Sequence, residues 1–251
     1  MRLSLKLGKL FGIGIYVHWS FFLLPLFVLF ANRGNAQFHI GFNLSLLAGV
    51  FGCVILHELG HALMARRFGI GTRDITLYPI GGVAKLEKMS EKPWEELWIA
   101  VAGPAVNVVI ASALIFGLTV AAAIWSPSLA WGSVVGQWFV VLMALNIVLV
   151  VFNMLPAFPM DGGRVFRAVL SMWMDRLQAT RIATNVGMVV ILIFGLGVVT
   201  LTLLLGSPNF FILFVMMFVI FMGRMEVRYL EWKRRMELED LPMVMPADSP
   251  Y

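Results

Sequence analysis

The sequence predicts an all-α membrane protein: a six-transmembrane-helix polytopic bundle with a small β element in its first long cytoplasmic loop. Three observations carry this. The 251 residues are 60% hydrophobic and only 13% charged, about half the charged share of a soluble domain. Their mean hydropathy is +0.89. Apolar runs recur near 15–31, 42–65, 95–123, 134–157, 187–205 and 207–223, against the about 17–25 residues that a bilayer crossing needs.

The first run follows a basic start, MRLSLKLGKLFGIGIYVHWSFF. No small-residue cleavage site comes after it, so it reads as a retained span rather than a signal peptide. The fourth run is open to interruption, and the sixth is short. An even number of spans returns both termini to one side. Of the 19 Lys and Arg residues, all but Arg33 fall in segments that share that side, which the positive-inside rule makes the cytoplasm. The expectation is a multi-pass cell-membrane protein with both termini cytoplasmic and the lipid bilayer as its surroundings. The same loop placement explains the net charge of +5 without nucleic acid as a partner. A single cysteine, Cys53, excludes an intramolecular disulfide framework.

The longest inner loop, 66–94, contains DITLYPIGGVAKLE. Alternating β-prone residues around Gly81-Gly82 predict a short strand or hairpin there. After Arg224 the charges are mixed, and an amphipathic helix running to Pro242 is expected, as a solvated or surface-lying end. The chain therefore divides into a six-span core, 1–223, and a short cytoplasmic tail, 224–251. No repeat of the kind that builds transporters is visible in the Gly/Pro breaks.

One stretch contradicts its surroundings. Residues 52–69, GCVILHELGHALMARRFG, place two histidines and a glutamate in a run otherwise suited to hydrocarbon, where ionisable groups are costly. His57-Glu58-Leu59-Gly60-His61 fits H-E-x-x-H. Residues four apart share a helix face, so both imidazoles can ligate one ion. Glu58 beside them can take a proton from a bound water.

Two histidines leave a tetrahedral zinc short of a protein ligand. Asp161, in NMLPAFPMDGG near the inner end of the fourth run, is the candidate, because irregular backbone at that depth lines a cavity or is buried in protein. His61 lies five residues before Arg66, roughly 7–8 Å inside the boundary at helical rise, so the two motifs share a depth. Asp74, Asp175, Glu87, Glu91, Glu95 and Glu96 are poorer third ligands, being in or near loops. His18 is more simply a boundary residue, and His39 is on the outer side. Cys53, a turn before His57, reads better as a small buried hydrophobe than as a thiolate ligand.

HELGH on one span with NMLPAFPMDGG on a later one resembles the site-2 protease family of intramembrane zinc metalloproteases. VHWSF, PIGGVA after the histidine motif, and AGPAVN (Ala102 to Asn107) in the third span extend the likeness over about residues 10–222. The resemblance implies one zinc ion per chain held by His57, His61 and Asp161, with Glu58 as general base. Asn153, eight residues before Asp161, matches the family's substrate-holding or oxyanion-stabilising asparagine. The implied activity is hydrolysis of a peptide bond in or near the transmembrane segment of a single-span, membrane-anchored regulatory protein. A helical peptide bond must be unwound before it is cut, and PIGGVAKL is placed to hold the substrate extended, as the family's loop is suggested to do. Gly81 and Gly82 would permit close backbone approach. Asn107 reads equally as packing glue or site orientation. Asn146 reads as an interhelical hydrogen bond more readily than as a substrate contact.

Two other classes compete. A metal transporter would distribute polar residues along several spans, whereas these cluster at one depth. An inactive relative serving as a membrane binding module would lack Glu58 or a ligand, and none is lost. The likeness is to a minimal form, since neither the inner loop nor the tail can hold a PDZ or CBS domain.

Overall fold

The chain begins with strands where a first span is expected. The computed structural model describes residues 4–31, 40–88, 90–206 and 211–239. Strand β1, Ser4–Leu10, turns at Phe11 and Gly12, both at positive φ, into antiparallel β2, Ile13–His18. Ile13, Ile15 and Val17 alternate with less apolar neighbours and are buried, the period-2 signature of a strand with one packed face. A 3-10 turn, Trp19–Phe22, leads to a nine-residue helix α1, Leu23–Ala31. The run 15–31 is thus half strand and half short helix. Its β-branched half finds partners on both sides, one of them from a distant part of the chain.

Helix α2, Ile40–Arg67, carries the histidine motif. The loop after it forms the expected hairpin, β3 Thr72–Tyr78 and β4 Gly81–Leu86. This hairpin does not stand alone. It completes a four-stranded sheet in the order β1-β2-β3-β4, in which β2 and β3 run parallel and the other pairs antiparallel. Parallel neighbours need a long crossover, and here α1 and α2 supply it. The sheet packs on α2 through two apolar clusters, Ile13, Leu59, Ala62 and Ile75, and Val17, Phe51 and Leu77.

The rest is helical: α3 Pro93–Ile124, α4 Pro127–Gly132, α5 Val134–Asn153, α6 Asp161–Leu170, α7 Arg176–Leu204 and α8 Phe211–Glu239. Among the described residues, α2, α3, α5 and α7 are long and apolar enough to cross a membrane. They match the second to fifth expected spans, although α7 begins earlier than expected, at Arg176, with Asp175 accepting from the Leu177 N–H at 3.2 Å. Two of six expected spans differ. The first is replaced as above. The sixth, with the tail, is the single helix α8, which passes residue 223 without a break and becomes charged beyond it. Arg2, Arg33, His39, residues 207–210 and the tail from 240, with Pro242, lie outside the described residues.

Between α5 and α6 the chain leaves helix for residues 154–160. Ala157 and Met160 in this segment are buried against Ile191 of α7 and Met216 and Val219 of α8. Gly162 and Gly163 admit the segment: a Cβ on Gly162 would strike the Met154 and Leu155 carbonyls, and one on Gly163 would lie 2.7 Å from the Ala157 carbonyl carbon.

Charge is buried beside this segment. Arg167 of α6 is 0% exposed. Its Nε donates to Glu96 Oε1 at 3.0 Å, its Nη2 pairs with the same carboxylate, and its Nη1 donates to Glu226 Oε1 of α8 at 2.5 Å. Arg176 Nη2 reaches the other Glu96 oxygen at 3.1 Å, and its Nη1 donates to the Ser90 carbonyl. Burial disfavours the Arg167 charge, but Glu96 and Glu226 outweigh that and raise its pKa above the ordinary value. Exposed pairs add to the C-terminal half of α8: Arg181–Glu231, Lys233–Glu91 and Arg234–Asp175.

Candidate metal centre

Helix α2 turns His57 and His61 to the same buried face, and α6 brings Asp161 to meet them. His57 Nε2 and His61 Nε2 each lie 3.1 Å from Asp161 Oδ2 and 3.1 Å from one another. The three residues form the one such His/Cys/Asp/Glu group found among the described residues. Donor atoms at this mutual spacing can all lie at the roughly 2.0–2.2 Å that zinc takes to nitrogen and carboxylate oxygen. His61 Nδ1 lies 2.6 Å from the Ile99 carbonyl, so the proton sits on Nδ1 and the Nε2 lone pair is free for an ion. His57 Nδ1 is buried without a partner among the described residues. Asp161 opens α6, where the helix N-terminus favours negative charge. The residues present fit zinc.

Backing the histidines is Gly103 of α3. A Cβ there would collide with His61 Nε2 and lie 2.8 Å from His57 Nε2. Gly103→Ala is therefore expected to displace the imidazoles and weaken zinc binding about tenfold or more, measured by competition with a chromophoric chelator. Wild-type affinity in the variant would show that the contact carries no weight.

The other residues singled out from the sequence fall around this centre. Glu58 is half-buried next to it, and its Oε2 accepts from the Ala84 N–H of β4 at 3.1 Å. Gly82 makes that approach possible, since a Cβ on it would lie 2.7 Å from Glu58 Cγ; Gly81 opens the strand at φ 140°. Asn153 is the half-buried last residue of α5. Asn107 is fully buried one turn beyond Gly103, with neither amide atom partnered among the described residues. Asn146 donates to Cys53 Sγ at 3.3 Å and to the Leu142 carbonyl at 2.9 Å, tying α5 to α2.

Most of the poorer third ligands are engaged elsewhere. Asp74 accepts from Thr76 and pairs with Lys85, Glu91 pairs with Lys233 and Glu95 with Lys92, and Glu96 holds Arg167. His18 shares its Nδ1 with Ser20 and packs on Tyr78. Sequence reasoning missed the Ile99 carbonyl, the fit of Gly103 and the Arg167 cluster. Gly103 lies in the AGPAVN motif noted above, but the motif does not say that it faces the histidines, and Arg167 is one basic residue among many in the sequence.

A helical membrane bundle with two histidines four residues apart, a carboxylate from a later helix and a glutamate beside them defines a membrane protein with a buried candidate metal centre. The chain belongs to peptidase family M50, the site-2 protease family, whose model matches residues 45–124 and 117–194. It is 34% identical over 241 residues to a zinc metalloprotease of Methanocaldococcus jannaschii, covering 92% of this chain and 62% of that one. Stage IV sporulation protein FB of Bacillus subtilis is 28% identical over 148 residues, 57% of this chain and 46% of its own. The solved site-2 protease from M. jannaschii superposes with a TM-score of 0.59 at 32% identity, covering 89% of this chain and 95% of that chain. The chain thus spans less than two thirds of the length of these curated relatives.

Proposed function

We propose that this protein is an intramembrane zinc endopeptidase that hydrolyses a peptide bond in or near the transmembrane segment of a membrane-anchored regulatory protein. The observation that carries the reading is the convergence of His57 Nε2, His61 Nε2 and Asp161 Oδ2 within 3.1 Å of one another, with Glu58 beside them. The names of the relatives agree with it.

His57, His61 and Asp161 would hold the zinc, which supplies a Lewis acid for the scissile carbonyl and makes water a nucleophile near neutral pH. Glu58 is fixed through Oε2 by the Ala84 N–H. Its Oε1 is then the atom that takes the proton of the attacking water and returns it to the leaving amine. Asn153, at the end of α5, is the donor for the developing oxyanion, in a site where such a bond is worth more than in water. Among the described residues β4 pairs only with β3. Its other edge runs past Glu58, and an unwound substrate added there as a further strand would bring its backbone to the base. Gly81 and Gly82 would permit close backbone approach at the start of that edge. The unpartnered amide of Asn107 supports a role in orienting the site.

The topology in this reading has six crossings, with both termini cytoplasmic. The segment from Trp19 onward and the apolar part of α8 join the four long helices, and the basic residues keep one side. The test uses the purified chain in vesicles with a single-span substrate. Cleavage near the cytoplasmic end of the span should stop with a zinc chelator and return with added zinc. Cleavage indifferent to the chelator would overturn the reading.

A further inference from the structure

The ligand Asp161 sits on the shortest of the helices that build the site, and α6, with ten residues, is too short to hold its own position in isolation. Arg167 lies on that helix, fully buried. Its guanidinium grips three different parts of the molecule. Glu96 belongs to the first turn of α3, one turn before Ile99, whose carbonyl orients His61. Phe158 belongs to the irregular segment that leads into Asp161, and its ring centroid is 5.0 Å from Arg167 Cζ, within cation–π range. Glu226 belongs to α8. The arginine therefore ties the segment carrying the carboxylate ligand to the helix backing the histidine ligands, and ties both to α8.

Stability alone is a poor account of this cluster. A buried ion pair is often matched or bettered by apolar side chains of the same volume. What the planar, five-donor guanidinium provides that an apolar group or a lysine cannot is a fixed angle between two carboxylates. We propose that Arg167 is a positioning residue for the Asp161 ligand, and that through Glu226 it makes metal binding depend on the seating of α8. The inference rests on Asp161 being a zinc ligand, and goes beyond it by assigning the helix C-terminal to the site a hold on the metal.

The test is zinc affinity of the full chain in detergent or nanodiscs, by chelator competition, on protein shown folded by circular dichroism and gel filtration. Arg167→Met is expected to bind zinc about 10–100-fold more weakly, the range seen when a ligand's outer partner is lost. Arg167→Lys is expected to recover little of this, because one ammonium cannot bridge both carboxylates. Glu226→Gln, which touches neither the metal ligands nor α3, is expected to weaken binding by several-fold. Arg181→Ala removes an exposed ion pair of α8 with Glu231 and is expected to change nothing. Should Arg167→Met fail to fold, Glu226→Gln alone decides. A lowered melting temperature with wild-type zinc affinity in Arg167→Met and Glu226→Gln, while Asp161→Ala loses zinc, would overturn the proposal and leave the ligand assignment standing. Full zinc affinity in Asp161→Ala would remove the ligand assignment and the proposal with it.

Discussion

Glu58→Gln is expected to abolish measurable proteolysis while zinc stays bound. The substitution keeps the size of the side chain and leaves His57, His61 and Asp161 untouched. It also keeps an oxygen able to accept from the Ala84 N–H, the contact that fixes Glu58 against β4. What is lost is a group that can take a proton from the attacking water. General-base contributions are about 10²–10⁴-fold, and the same residue must return the proton to the leaving amine, so a loss at or above about 10⁴-fold is expected in kcat. Zinc content by metal analysis should be unchanged. Turnover within about tenfold of wild type would mean that another group is the base.

Asp161→Ala is the second large effect. It removes the oxygen that lies 3.1 Å from both imidazoles and leaves two ligands that a catalytic zinc does not hold tightly. Loss of an outer partner costs about 10–100-fold in affinity, and loss of a ligand atom should exceed that. The variant is expected to purify without stoichiometric zinc and without activity. Near-equal zinc content in the variant and the wild type would dismiss Asp161 as a ligand. Glu58→Gln and Asp161→Ala thus separate: both are inactive, but only the second loses the metal.

The features legible in the sequence were those whose causes are local. His57 and His61 share a face because they are four apart on a helix, and nothing distant is needed to see it. Asp161 was found by matching depth, with prolines and glycines marking where the fourth run ends. The strands flanking Gly81-Gly82 announced themselves by alternation. The features that escaped depend on partners far along the chain. Residues 13–18 merge with WSFFLL into one apolar run, and only pairing of β2 with β3, residues 14–17 against 74–77, reveals a strand. Short apolar runs are ambiguous in this way. Arg167 meets Glu96 and Glu226 from positions 71 and 59 residues away, and no spacing rule connects them. No backbone break marks residue 223, because α8 changes from apolar to charged within one continuous helix.

The distance in sequence between the two halves of the centre has a consequence in time. His57 and Asp161 are 104 residues apart. At the roughly 5–20 residues per second of synthesis, a growing chain carries its histidines for about 5–20 s before their carboxylate has been made. Throughout that interval Glu58 stands beside an incomplete set of ligands. For that time the emerging chain offers an ion only two of the three residues that would hold it, so the centre is a product of the late part of synthesis.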